Sequence, residues 1–154
     1  DTTGAGSDAL SGGELTALET SDDSRYASVS SFNFQVYFDT EAIEFTFPDI
    51  PGGATVNSAS LNFEWQRGAN IDAPRVMYST NGGASFSLAA NLANPAASTD
   101  TTVVIDLLAL GVDTAAEVNG LVIRFQAQYD GSGGSGTDTT TSHDWVQVDV
   151  NYSP

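Results

Sequence analysis

A chain of 154 residues with twenty Asp plus Glu, four Arg, no Lys and no Cys carries a formal net charge of −16. This balance rules out disulfides, thiolate metal sites and lysine isopeptide crosslinks, and it makes nucleic-acid backbones and anionic lipid poor partners. One domain of this size buries roughly two-thirds of its unfolded surface, and no apolar run approaches the ~18 residues that span a bilayer.

Acidic chains are often disordered, but 40% of these residues are hydrophobic and the aromatics are regularly placed, which points to a folded domain. The sequence opens at Asp1 and its one methionine is Met77. That start is expected of a mature secreted chain, extracellular or at the cell surface, after removal of its signal peptide.

Residues 1–20, "DTTGAGSDALSGGELTALET", are small and polar, with Leu10, Leu15 and Leu18 as the large apolar anchors. They read as an N-terminal tail ahead of a domain over 21–154, held by the domain's own surface or by another subunit. Beyond the tail, period-2 alternation dominates. Phe34, Val36 and Phe38 share one face of 33–38, and Ile43, Phe45 and Phe47 one face of 42–47. Leu61, Phe63 and Trp65 do so in 61–66, opposite Asn62, Glu64 and Gln66. In 121–129, Leu121, Ile123, Phe125, Ala127 and Tyr129 oppose Val122, Arg124, Gln126 and Gln128. In 145–152, Val146, Val148, Val150 and Tyr152 oppose Trp145, Gln147, Asp149 and Asn151. Weaker strands fit 25–30, 74–80, 84–88 and 101–107, and one helical turn fits 113–118. "PDIPGG", "NGG", "NP" and the Gly/Ser run after Tyr129 supply the turns. One dry and one wet face per strand predicts paired antiparallel sheets: an all-β, two-sheet β-sandwich of jelly-roll type with about eight to ten strands.

Three segments, "SDDSRYAS", "FPDIPGGATVNSASLNFEWQR" and "VNGLVIRFQAQY…HDWVQVDVNY", resemble carbohydrate-binding-module-like jelly-roll domains of prokaryotic secreted and cell-surface proteins. More loosely, a short jelly roll with an N-terminal tail is similar to calcium-bound subunits of extracellular filaments. The resemblance implies a structural role for these motifs and no catalytic one.

Catalysis has little to stand on. His143 is the single histidine, and strand-cap or loop duty is expected of it ahead of metal ligation. Glu41 and Glu44 read as carboxylates on a solvated face, not as a glycosidase pair. Calcium is better motivated, because it takes six to eight oxygens that carboxylates and loop carbonyls can supply. Asp22 and Asp23 form one acidic loop, Asp130 and Asp138 bracket the Gly/Ser loop, and Asp144 follows. In the resembled sandwiches an ion ties an early loop to a late one, which implies that these five carboxylates act together in holding a structural calcium. Against that stands a plain solvated hairpin, and the spacing is not that of an EF-hand because its twelfth position is Thr141.

Trp145 and Tyr37 fall on the wet sides of their strands, where an aromatic can stack on a sugar or seat against a neighbouring subunit. The alternative is that Trp145 is covered by the tail or a loop. Asn151–Ser153 is an N-glycosylation sequon. Two functions are therefore expected, and neither is enzymatic. The first is a self-assembling extracellular structural or adhesive subunit, stabilised by calcium and joined to copies of itself through the tail. The second is a carbohydrate-binding module that uses its exposed aromatics.

Overall fold

The computed structural model describes residues 2–4, 27–30, 37, 42–68, 70–96, 98–130 and 140–154. Among them run nine strands: β1 (Thr2–Gly4), β2 (Ala27–Ser30), β3 (Ile43–Thr46), β4 (Thr55–Arg67), β5 (Ile71–Ser79), β6 (Ser87–Asn91), β7 (Asp100–Asp106), β8 (Val122–Tyr129) and β9 (Thr140–Ser153). A 3-10 turn (Leu108–Leu110) and one short helix, α1 (Ala115–Asn119), complete the described elements.

One sheet has the order β1-β3-β8-β5-β6 and the other β2-β9-β4-β7, and every pairing is antiparallel. From β2 to β9 the chain changes sheet at each connection except the β5–β6 hairpin. That alternation is the double Greek key of a jelly roll. The two-sheet sandwich expected from the alternation is the fold. Most of the expected strands are present, with β4 and β9 extending well beyond their apolar cores. Of 33–38 only Tyr37 is described, and it lies outside any strand. The tail contributes β1, which pairs with β3 of its own chain through Thr2↔Phe45 and Gly4↔Ile43. Leu10, Leu15 and Leu18 lie outside the described residues.

The inner faces meet as the periodicity requires. Ile43 and Phe45 of β3, Ile71 and Val76 of β5, and Ile123, Phe125 and Ala127 of β8 pack against Leu61, Phe63 and Trp65 of β4 and Ile105 of β7. Val146, Val148 and Val150 of β9 are partly buried against the same core. Burial of a large apolar side chain stabilises by about 1.5–3 kcal/mol, so this layer carries the fold in the absence of crosslinks. The end of the sandwich is closed by α1, whose Ala115 and Val118 are buried. Thr114 and Glu117 form its capping box, and the hydrogen bond from Thr114 is the main reason the Glu117 carboxyl sits below its usual range.

His143 corrects an expectation, being neither a loop nor a cap residue. It is fully buried, with ring centroids 4.8 Å from Phe125, 5.3 Å from Phe63 and 6.1 Å from Phe45. The cause is a β-bulge. Across β4 and β9 the register passes from Glu64↔Trp145 to Trp65↔His143, which leaves Asp144 as the extra residue. Strict alternation would put His143 on the face of Trp145, whereas the bulge turns it inward. Thr141 Oγ1 lies 3.0 Å from its Nε2, and Nδ1 has no hydrogen-bond partner among the described residues. Desolvation lowers its pKa from 6.5 to about 3.

Two predictions follow from this packing. Because the folded pKa of His143 lies below the unfolded value, the unfolded chain takes up the proton first. Its contribution is fully present above 6.5 and is lost as pH falls toward about 3, at most roughly 5 kcal/mol. His143→Phe should flatten that part of the pH profile of urea unfolding, so its stability relative to wild type should rise as pH is lowered. A relative stability that does not change with pH would show that the histidine is not held neutral. Separately, a Cβ on Gly120 would lie 2.4 Å from the Thr80 carbonyl oxygen, while one on Gly52 meets nothing within 4 Å. Gly120→Ala should lower stability by about 1–3 kcal/mol and Gly52→Ala by much less, as read from thermal melts.

Candidate functional site on the outer face of the four-stranded sheet

The alternation that buries one side of β4, β7 and β9 sends the other outward in rungs. Thr102, Glu64 and Trp145 form one rung, and Val104, Asn62 and Gln147 the next. Asp106, Ser60 and Asp149 form a third, and Asp100, Gln66 and Ser142 lie at the far end. The side chains are tied along and across the strands. Trp145 Nε1 donates to Gln147 Oε1 (3.1 Å), and Gln147 Nε2 donates to Asp149 Oδ1 (2.5 Å). Asn62 Nδ2 donates to the other oxygen, Asp149 Oδ2 (2.7 Å). Gln66 Nε2 donates to Asp100 Oδ1 (2.7 Å). Asp149 is thus held by two amides from two strands.

Glu64 differs from its neighbours. It faces outward between Thr102 and Trp145, yet only 6% of its surface is accessible. Its carboxylate makes no hydrogen bond or ion pair with the described residues. Its oxygens are the part of the side chain that reaches solvent, since the enclosed polar side-chain atoms without a partner are Trp65 Nε1, His143 Nδ1 and Asp144 Oδ1. Trp145 beside it is half-buried, while Val104 is 67% exposed.

The charges are divided between the faces. Asp100, Asp106, Asp149 and Glu64 belong to this face, and none of the described arginines does. Arg67 lies at the end of β4, donating to the Ile71 carbonyl (2.8 Å) and standing 3.9 Å from Asp130. Arg124 and Arg75 occupy the outer side of the five-stranded sheet. There Arg124 Nε donates to Glu44 (2.7 Å) and its guanidinium covers the Phe86 ring at 3.6 Å. Glu44, expected as a solvated carboxylate, is therefore half of a partly buried ion pair.

Tyr37 belongs to that opposite side. Its hydroxyl donates to the Ala73 carbonyl (2.7 Å), and Arg75 stacks on its ring at 3.4 Å. Arg75 in turn donates twice to Gln126 Oε1, at 3.0 and 2.7 Å. Tyr37 and Trp145 therefore cannot form one stacking platform, because the thickness of the sandwich separates them.

Of the expected calcium ligands, Asp22, Asp23 and Asp138 lie outside the described residues. Asp130 stands beside Arg67, and Asp144 is fully buried at the bulge. Among the described residues no group of three acidic, histidine or cysteine side chains converges on a metal position. Glu64, Asn62, Gln147 and Asp149 were not singled out by motif, although their wet-side parity with Trp145 in the two strands was a usable signal.

No protein-family model matches the chain, and no curated protein matches it. Among solved structures, one described as "CBM4 structure and function" is similar at 16% identity and a TM-score of 0.48, covering 82% of this chain and 84% of that chain. Strand order by itself establishes the jelly-roll sandwich, and no binding residue is assigned from that likeness.

Proposed function

We propose that the chain is a non-catalytic glycan-binding module whose recognition face is the outer side of the four-stranded sheet. The observation that carries this reading is the half-buried Trp145 standing at the head of a hydrogen-bonded row of amides and carboxylates. Sugar rings are recognised by this pairing: the apolar C–H face of a pyranose lies on an aromatic plane, while planar amides and carboxylates bond its hydroxyls. Gln147, Asp149 and Asn62 already hold one another in place, so little side-chain entropy remains to be lost on binding. The single histidine is neutral and enclosed in the core, away from any substrate surface. Placement outside the cell agrees with such a role and belongs to the same proposal.

Trp145→Ala should weaken retention on insoluble or soluble glycans by about tenfold or more while leaving the thermal melt nearly unchanged. A variant that binds cellulose, chitin and soluble glucans as wild type does would sink the proposal.

A second reading, the self-assembling structural or adhesive subunit, is favoured by β1. A three-residue strand added to the edge of the five-stranded sheet uses backbone hydrogen bonds that a neighbour's strand can supply equally well. Calcium held by Asp22, Asp23, Asp130, Asp138 and Asp144 belongs to this reading. Light scattering of the full chain and of a chain lacking residues 1–18, each with calcium and with chelator, checks it. Assembly should require the tail and weaken on chelation. Assembly by the truncated chain would remove β1 from the mechanism.

A further inference from the structure

Among the described residues the arginines lie off the glycan face, and this bears on which glycans it can hold. Glu64, Asp149, Asp106 and Asp100 project from adjoining rungs. The described arginines are engaged elsewhere: Arg75 and Arg124 on the opposite sheet, Arg67 near Asp130. Asp149 is neutralised in part by its amide donors and Asp106 by capping the amide of Ala109 (3.0 Å). Glu64 has no such donor among the described residues, and its oxygens face solvent. The residue as a whole is more than nine-tenths buried beside Trp145. A neutral hydroxyl offers it one ordinary hydrogen bond. An ammonium offers a charge-assisted one, about twice as strong, and it also relieves the repulsion of the neighbouring acids.

Resting on the glycan-binding reading, we infer that this face selects glycans bearing free amino groups, with the sugar ring on Trp145 and its ammonium on Glu64. Glucosamine-type polymers are the expected class. N-acetylated polymers lose the charge, and polymers of uronic acids are repelled.

The test is isothermal titration of the whole chain with short oligomers of glucosamine, N-acetylglucosamine, glucose and galacturonic acid, at low and at high salt. The glucosamine oligomer should bind about tenfold or more tightly than its N-acetylated counterpart, with an advantage that shrinks in salt, and the galacturonate oligomer should not bind. Glu64→Gln should erase that advantage while retaining the weaker binding of neutral oligomers. Asp149→Asn, at an exposed position, should narrow it and serves as the test if Glu64→Gln does not fold. Asp49→Asn, an exposed change outside this face, removes the same unit of charge and should leave the preference intact. Equal affinity for glucosamine and glucose oligomers would overturn the inference and leave the glycan-binding reading standing. So would a preference that survives both face variants, or a lysine-rich peptide bound as tightly as the glucosamine oligomer. Binding of none of the oligomers would overturn both.

Discussion

One extra residue in β9 sets what both sides of the four-stranded sheet can do. Asp144 has no counterpart on β4, where Glu64↔Trp145 gives way directly to Trp65↔His143. In an unbroken strand, residues two apart share a face, so His143 and Trp145 would point the same way. The bulge separates them. His143 enters the aromatic core between Phe63 and Phe125, while Trp145 stays on the outer face of the four-stranded sheet. A bulge gives up ladder pairing locally and re-aims side chains, and here it serves core and surface together.

The inner consequence is a core with a polar centre. Phe63 stacks on Phe125 with centroids 5.6 Å apart, and Trp65 lies 5.3 Å from the same ring. These rings come from both sheets, so the cluster joins the two layers across the middle of the sandwich. A neutral imidazole fits among them as a flat aromatic body, but its protonated form would not. A chain with no cysteine and no lysine depends on such contacts and on the closure of its end. There, Asn119 bonds both the amide and the carbonyl of Ile50, at 2.8 and 3.0 Å.

The outer consequence is a division of charge. On the five-stranded side, Arg75 and Arg124 are matched by Gln126, Glu44 and the rings of Tyr37 and Phe86. On the four-stranded side, amides of Asn62 and Gln147 donate to Asp149, and no described arginine joins them. Two faces built by the same alternation thus present opposite chemistry, one self-satisfied and the other electronegative and open at Val104. Local fields of this kind gather cations and exclude anions, whatever ligand occupies the face.

The sequence by itself determined the class of fold, the core and the parity of the polar rows. Those depend on alternation between neighbouring residues, a local property that survives without knowledge of partners. It marked Trp65 as core and placed Trp145 with Gln147 and Asp149 on the wet side. Only the tertiary structure decided which wet sides share a surface. Tyr37 and Trp145 have the same local pattern, but Tyr37 lies outside any strand and packs on Arg75 of the five-stranded sheet, whereas Trp145 belongs to the four-stranded one. It also decided the fate of His143, because a bulge is a mismatch between two strands more than seventy residues apart and neither strand encodes it alone. Glu64 became notable for the same reason: it stands between Thr102 of β7 and Trp145 of β9, a placement the residues beside it in the chain do not reveal.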